Sequence, residues 1–303
     1  MNSQSFKAIF KTFCFSSSLV VCGVASASPM STYNLILQQD YNFEGGDVEG
    51  RTLVGGNLNA EGFGAVFGSR ITEDGDALSV VGDITATNLT IERGDVRHAG
   101  NLNVGNINMN GGGTVNYDAS FNIDSIVSEL NSESSFYAGL SENASFNSVT
   151  KTFEYDGTDA LAVFDVSAAD IFAQNSSLSL DYGLAETVII NVSGADILVE
   201  GGVNLVDGFR PYEFGAENIL WNFYEADSVN FNSIAMSGSV LAIGADVSGG
   251  AVFDGSVAAK SYTGGREFHQ FLFNPPTVEV PTPATFAFML LACFGGLVLR
   301  RQS

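Results

Sequence analysis

One short phrase recurs through the chain: a glycine, then Asn or Asp, then two or three residues that alternate between apolar and polar. The phrase begins at Gly56, at Gly82 and at Gly100, so its starts are 26 and 18 residues apart. Glycine beside Asn or Asp marks a turn, and the alternation is the period of a half-buried strand. Strands this short bury a face only when successive coils stack on one another. The phrases therefore predict a mainly β fold, an irregular β-solenoid (β-helix); a β-sandwich built from hairpins is the alternative.

One segment has a helical period instead. Ile123, Ile126, Val127 and Leu130 fall at positions i, i+3, i+4 and i+7, which places four apolar side chains on one helical stripe. Polar residues fill the positions between them. We expect one amphipathic α-helix over residues 120–140, ending near a glycine and packed on the flank of the solenoid.

The N-terminal residues are typical of a secretory signal peptide. Two lysines precede an uncharged apolar run, residues 13–24, and Ala25 and Ala27 are the small residues of a cleavage site. Cleavage by signal peptidase after residue 27 would remove residues 1–27 and make Ser28 the first residue of the mature chain.

The C-terminal residues predict a transmembrane helix in the precursor. Residues 284–299 contain no charged side chain, so they favour hydrocarbon over water, although a comfortable span needs about 20 residues. Arg300 and Arg301 follow, and the positive-inside bias keeps such a pair in the cytoplasm. The predicted ectodomain, residues 28–274, then lies beyond the inner membrane, separated from it by a proline-stiffened spacer at 275–280.

A proline box precedes the membrane segment. It reads Val280, Pro281, Thr282, Pro283 and Ala284. With the apolar segment and the basic pair, this tail of residues 281–303 resembles the PEP-CTERM sorting signals of Gram-negative bacteria, in a Val-Pro-Thr-Pro-Ala variant. The resemblance implies that an exosortase cleaves near the box and passes the ectodomain to the cell surface or extracellular matrix.

The two end segments hold four of the 12 basic residues and none of the 34 acidic ones, which leaves residues 28–280 with a net charge of −26. Such a surface repels phosphate backbones and disfavours nucleic-acid binding. The cysteines, Cys14, Cys22 and Cys293, also lie in the end segments. The ectodomain therefore relies on no disulfide and offers no thiol nucleophile.

Glycine-flanked β phrases return in the second half of the chain. They include Thr-Val-Ile-Ile-Asn-Val-Ser-Gly at 187–194, Asn-Ile-Leu-Trp-Asn-Phe at 218–223 and Phe-Asp-Gly-Ser-Val-Ala-Ala at 253–259. Together with Asp-Val-Glu-Gly-Arg-Thr-Leu-Val-Gly-Gly-Asn at 47–57, they make residues 33–273 resemble the choice-of-anchor A family. The resemblance implies an adhesive, surface-displayed domain attached through alternative C-terminal anchors, and it brings no catalytic residues.

Three neighbouring aromatic residues are candidates for a ligand surface. Trp221, Phe223 and Tyr224 could stack on the sugar rings of an exopolysaccharide. Alternation along the strand points the first two rings the same way, and a place in the core is the alternative for both.

One acidic turn is a candidate calcium site. Glu73, Asp74 and Asp76 surround a glycine and supply the oxygen ligands that Ca²⁺ prefers, but the full twelve-residue loop with its terminal Glu is missing. A solvated turn is the alternative. We expect no other cofactor.

Two classes of function remain. The first is a non-enzymatic surface or matrix protein that adheres to polysaccharide, to cells or to a surface. The second is a secreted β-helix enzyme that acts on matrix polysaccharide. His98 and His269 lie in unrelated phrases, and no Gly-x-Ser-x-Gly elbow surrounds a serine, which favours the non-enzymatic class. Thr85 and Thr87 resemble one pair from the threonine arrays of ice-binding solenoids. A single pair does not form an array, so the sequence does not predict ice binding.

Overall fold

The recurring phrases fold into the corners of a parallel β-solenoid, so the mainly β part of the predicted fold is confirmed. The structure is a computed structural model, and it describes residues 27–210 and 214–276. No helix within these residues is long and apolar enough to cross a bilayer. The predicted membrane segment and proline box lie outside the described residues.

The described chain before the main helix forms the strands of the N-terminal coils. After a short 3-10 helix at Pro29–Ser31, these strands are β1 (Leu35–Leu37), β2 (Tyr41–Phe43), β3 (Asp47–Val48), β4 (Thr52–Val54), β5 (Leu58–Phe67), β6 (Asp76–Val80), β7 (Ile84–Ile91), β8 (Asp95–His98), β9 (Leu102–Met109) and β10 (Val115–Tyr117).

The main helix, α1 (Asp124–Ala138), separates these coils from the C-terminal coils. The strands that follow it, together with the single-turn helix α2 and a 3-10 helix at Ala216–Asn218, are β11 (Ser145–Asn147), β12 (Thr152–Glu154), β13 (Leu161–Ser167), α2 (Ala168–Ile171), β14 (Ser177–Asp181), β15 (Thr187–Ser193), β16 (Asp196–Leu198), β17 (Asn204–Leu205), β18 (Ile219–Asn222), β19 (Ser228–Asn230), β20 (Ala235–Ser237), β21 (Ser239–Ser248), β22 (Val252–Asp254), β23 (Val257–Gly264) and β24 (Glu267–His269).

Each coil passes in turn through three faces. The face that we call the helix face stacks β13, β15, β18, the first part of β21 and of β23, then β1, β4, β6, β8 and β10. The second face stacks β16, β19, the later parts of β21 and β23, then β2 and the first parts of β5, β7 and β9. The third face includes β20, β22, β24, β3 and the later parts of β5, β7 and β9.

The first coil of the chain lies in the middle of the stack. Strand β1 pairs on one side with β4 and on the other with β23, which is almost the last strand. The chain therefore builds outward from the middle to β10, and the later coils return from β13 to close against the first coil. Asn42 Nδ2 donates a hydrogen bond of 3.2 Å to Thr263 Oγ1 across this seam.

The strand pairs of the large sheet that the structure describes run parallel, and β11 with β12 is an antiparallel pair in the smaller sheet. A sandwich of hairpins would need antiparallel neighbours throughout. The alternative of a β-sandwich is therefore wrong.

Glycines at the turn between the helix face and the second face let neighbouring coils approach closely. A Cβ atom on Gly82 would lie 2.5 Å from the carbonyl oxygen of Gly56, and one on Gly100 would overlap the carbonyl of Gly82. The adjoining carboxylate and amides form a ladder, in which the Asp83 amide donates to Asn57 Oδ1 at 2.9 Å and the Asn101 amide donates to Asp83 Oδ1 at 2.7 Å. The recurring glycine phrases of the sequence therefore form this turn in successive coils.

Helix α1 covers the outer side of the helix face, as its apolar stripe predicted. Leu130 is fully buried there with Leu53, Leu220 and Leu241. Both sides are buried in the central strands of this face, so β1, β4, β15 and β18 are nearly continuous apolar runs, without the alternation of a half-exposed strand. The helix is shorter than the predicted 120–140, because Asp118 Oδ1 accepts hydrogen bonds from the amide and hydroxyl of Ser120 and holds a turn there.

Aromatic rings fill the interior of the solenoid across the seam. They form a chain of contacts with ring centroids 5.5 to 6.4 Å apart, which runs through Phe172, Phe223, Phe231, Phe253, Tyr262, Tyr41, Phe43 and Phe67. Edge-to-face packing of this kind stabilises a core beyond the burial of area alone. This column includes six of the chain's 24 phenylalanines.

Candidate functional site

An open groove of about 560 Å³ lies where the chain leaves the helix face near the C-terminal end of α1. One wall is formed by the ends of β13 and β15 and by Tyr224, which follows β18. The other wall is the segment 142–148 after α1. The groove is lined by an exposed phenol, a second aromatic ring, carboxylates and the hydroxyls of Ser145, Ser148, Ser167 and Ser193.

Strand register and a buried amide network position the first wall. Asp165 pairs in register with Asn191, and Asn191 with Asn222. The two amides are buried under α1, where Asn222 Nδ2 donates to the Ser134 carbonyl and Asn191 Nδ2 to the Tyr137 carbonyl, both at 2.9 Å. Asp165, in the same row, is exposed.

The second wall is fixed to the edge of the helix face by one asparagine. Asn143 Oδ1 accepts a 2.8 Å hydrogen bond from the Val163 amide, and its Nδ2 donates to the Leu161 carbonyl at 2.9 Å. Phe146 then anchors the segment, because its ring packs on buried Phe153 with centroids 4.8 Å apart. Both walls are thus attached to the solenoid core, and the groove is preformed.

Tyr224 is the exposed ring of the groove, with 42% of its surface accessible. Partial burial raises the pKa of its phenol above the ordinary value, and the negative charges of Glu225 and Asp165 raise the pKa further. The phenol is therefore neutral at physiological pH and can donate as well as accept a hydrogen bond. Its ring offers an apolar face for stacking.

The carboxylates of the groove are Glu142, Asp165 and Asp170, all exposed. Asp170 Oδ2 accepts a 2.6 Å hydrogen bond from Ser167 Oγ at the start of α2, and Lys151 Nζ donates to the Asp170 carbonyl oxygen at 3.0 Å. Ionised carboxylates accept hydrogen bonds strongly and repel anions. The lining therefore suits a ligand rich in hydroxyl donors and disfavours phosphorylated or polyanionic chains.

The three-ring ligand surface expected from the sequence needs a correction. Trp221 and Phe223 are 0% and 2% exposed, and the indole Nε1 donates a 2.9 Å hydrogen bond to the Ser237 carbonyl inside the solenoid. Both rings point inward because alternation along the strand places them on its interior side. Tyr224 remains as the member of the set that a ligand can contact.

The acidic turn at Glu73, Asp74 and Asp76 is not arranged as a calcium site. No group of three or more acidic, His or Cys side chains that could hold a metal occurs within residues 27–210 and 214–276. Arg51 instead donates to the backbone carbonyls of all three residues at 2.7 to 3.0 Å, and Asp76 pairs with Arg97 at 2.9 Å. The guanidinium of Arg51 supplies the positive charge that the turn binds.

Each of the two histidines bonds to a neighbouring backbone or side-chain group of the solenoid. His98 Nδ1 donates to the Gly100 carbonyl at 2.9 Å, beside the glycine corner. His269 Nδ1 lies 2.6 Å from Asp254 Oδ1, and its Nε2 lies 3.4 Å from Glu267. Burial acts to lower the pKa of His269, but the hydrogen bond and charge of Asp254 outweigh it and raise that pKa.

The outer side of the second face shows a row of amides in place of a threonine array. In register along the stack are Asn42, Asn59, Thr85 and Asn103, and Asn59 Nδ2 donates to Asn42 Oδ1 at 2.9 Å. Thr85 thus has asparagines on both sides, so the threonine pair does not repeat in the neighbouring coils.

Sequence reasoning missed Glu142, Phe146, Asp165 and Asp170 as residues of one site. They lie in separate phrases with no shared motif, and strand register brings them together. Of the predicted cleavage residues, Ala27 is exposed and Ser28 is buried, whereas Ala25 lies outside the described residues. The sorting residues Val280 to Ala284, Arg300 and Arg301 lie outside them too.

Comparison with known proteins identifies the family. The chain has no match among curated proteins and none among solved structures. Residues 26–270 match a family described as "Putative Ice-binding-like adhesive domain". This match spans the described solenoid from its first turn to its last strand. The chain therefore belongs to this family of ice-binding-like adhesive domains.

Proposed function

We propose that this chain is an exported, non-enzymatic adhesive protein of a Gram-negative cell surface or extracellular matrix, and that it holds a neutral, hydroxyl-rich polysaccharide in the Tyr224 groove. Membership of an adhesive-domain family supports the general role. The observation that carries the ligand class is the exposed Tyr224 ring in an open, acidic, hydroxyl-lined groove.

Each lining group has a role toward a sugar. The apolar face of a pyranose stacks on an aromatic ring, and the sugar hydroxyls donate to carboxylate oxygens. The groove is open to solvent, so we expect it to admit an internal stretch of a polymer as well as a chain end. The net charge of the ectodomain disfavours uronate-rich or sulfated polymers in the same site.

The route to the surface is proposed from the chain ends. Signal peptidase would cleave after Ala27, the apolar segment 284–299 would hold the chain in the inner membrane, and an exosortase would act at Pro281, Thr282 and Pro283. This arrangement corresponds to a choice-of-anchor A domain with a PEP-CTERM tail.

A secreted enzyme acting on matrix polysaccharide is the second candidate. The acids of the groove favour it, since glycoside hydrolysis uses a pair of carboxyl groups across the scissile bond. Asp165 and Glu142 both line the groove. An enzyme of this kind would bind the same polymers and leave new reducing ends.

One experiment separates the two candidates. The full chain, purified in detergent, is incubated with immobilised neutral and anionic polysaccharides, and both retention and new reducing ends are measured. We expect retention on neutral polymers without new ends. New reducing ends would establish the enzyme, and preferential retention on anionic polymers would overturn the proposed ligand class.

A further inference from the structure

The residue that follows the predicted cleavage site is buried against helix α1. Ser28 is 2% exposed, and its Oγ donates a 2.8 Å hydrogen bond to Oε2 of Glu133, which is also 2% exposed. Ser28 Oγ in turn accepts from the Met30 amide at 3.2 Å. A carboxylate in the interior of the protein therefore meets the first residue of the expected mature chain.

This buried site is acidic and incompletely satisfied. Glu129, one turn earlier on α1, adds negative charge near Glu133. Tyr137, one turn later, is a buried phenol, and burial and the negative charge of Glu133 both raise its pKa. The hydroxyl of Tyr137 has no hydrogen-bond partner among the residues that the structure describes. A buried carboxylate is costly, and a positively charged donor beside Glu133 would offset that cost.

We propose that cleavage after Ala27 supplies that donor: the new α-ammonium group of Ser28 pairs with Glu133 and locks the N terminus under α1. The inference rests on the proposed export. Signal peptidase adds water to the Ala27–Ser28 amide, so residue 27 leaves with a carboxylate and Ser28 gains the ammonium. In the uncleaved chain the same nitrogen is an uncharged amide with one hydrogen.

The geometry places the nitrogen within reach. The backbone nitrogen and Oγ of Ser28 are three bonds apart, which keeps them within about 4 Å of each other. Because Oγ lies 2.8 Å from Glu133 Oε2, the ammonium would come within about 4 to 6 Å of the carboxylate, a range over which opposite charges interact. Small rotations of the Ser28 side chain would complete the contact.

The lock would hold three parts of the fold together. The N-terminal segment already joins the last coil, because Ser256 Oγ donates to the Met30 carbonyl at 2.7 Å and the Phe273 amide donates to the same oxygen at 3.2 Å. Pairing Ser28 with Glu133 adds α1 to this junction. Processing would therefore stabilise the exported protein after it leaves the cytoplasm.

The pH window of the effect follows from the two partners. Burial holds the pKa of Glu133 at about 7 in the uncleaved chain, and the ammonium would lower it, so the gain from pairing is complete above about 7 and is lost as pH falls below that value. The carboxylate would raise the pKa of the ammonium from about 8, so the contribution is lost as pH rises through that higher value. Stabilisation is greatest near neutral pH.

The test compares two forms of the chain that begin at different residues, which we call the two starts. Proteins that begin at Ser28 or at Ser26 and end at Ser303 are released from a cleavable fusion partner, and their melting temperatures are measured at pH 7 in one detergent. We expect the Ser28 start to melt about 5 °C higher. Glu133→Gln should abolish the difference between the two starts, and the control Asp124→Asn, at an exposed residue in the first turn of the same helix, should keep it.

Equal melting temperatures for the two starts would overturn the proposal, and so would a difference that survives Glu133→Gln. The mass of the product exported by a Gram-negative host tests export separately. A product that does not begin at Ser28 contradicts the proposed processing, whereas the two purified starts still report on the pairing itself.

Discussion

Tyr41 in the first coil of the chain lies against Tyr262 in the last coil, with their ring centroids 5.7 Å apart and their strands paired in register. This contact closes the solenoid between its N-terminal and C-terminal halves. Each half alone would expose an edge of all three faces and one end of the aromatic column. We therefore expect the two halves to unfold together.

Tyr41→Ala tests this closure. The substitution removes a fully buried ring that also packs against Phe43 at 5.5 Å, so it leaves a cavity at the seam. We expect the free energy of unfolding to fall by about 3 to 5 kcal/mol in a denaturant titration. Tyr117, which is 66% exposed, provides the control. Tyr117→Ala should cost less than about 1 kcal/mol, and equal costs would contradict the seam.

Gly82→Ala tests the glycine corner. The added methyl group would meet the Gly56 carbonyl at 2.5 Å, so neighbouring coils must separate locally. Overpacking of this kind costs about 1 to 3 kcal/mol of unfolding free energy. Gly64→Ala is the matched control, because nothing lies within 4 Å of a Cβ atom there. A corner substitution no more costly than the control would show that the coils do not approach this closely.

Glu133→Gln tests the buried carboxyl in the uncleaved chain. Burial raises the pKa of Glu133 to about 7 from 4.5, although the Ser28 hydroxyl acts in the opposite direction. The folded state then binds more protons than the unfolded state between these values, so stability falls as pH rises through this window and levels off above about 7.

The shift corresponds to about 3 kcal/mol at neutral pH. Because glutamine cannot ionise, the variant should gain stability over the original chain as pH rises from 4.5 to 7, measured by denaturant titration at each pH. Asp124→Asn, at an exposed residue in the first turn of the same helix, serves as the comparison. A stability difference that stays constant with pH would mean that Glu133 titrates normally.

Local features of the fold were predictable from the sequence. The stacking of Gly82 and Gly100 follows from their own phrases, because a turn and an alternating strand are encoded within a few residues. The helix stripe around Leu130 is equally local. The neighbour of the first coil was not predictable, since any coil with an apolar inner side could stack there. The pairing of Asn42 with Thr263, 221 residues apart, depends on the return of the whole chain.

Of the residues in the candidate site, only Tyr224 was predictable from the sequence. Tyr224 was singled out by its place in an aromatic phrase, but the same phrase includes Trp221 and Phe223, and the direction of each ring depends on where the strand ends. Glu142 and Asp165 join the site through strand register and through the Asn143 tether. These contacts form only when the coils stack, so they leave no short motif in the sequence.

Tyr224→Ala provides the most direct test of the adhesive account, by measuring the affinity of the full chain for the neutral polysaccharide that retains it. Loss of a stacking ring should weaken binding at least tenfold, which corresponds to about 1.4 kcal/mol, with only a small change in melting temperature because the side chain is partly exposed. Tyr117→Ala, at the far end of the solenoid, should bind as the original chain does. Undiminished binding by the Tyr224 variant, or retention of the original chain on no neutral polysaccharide, would contradict the account.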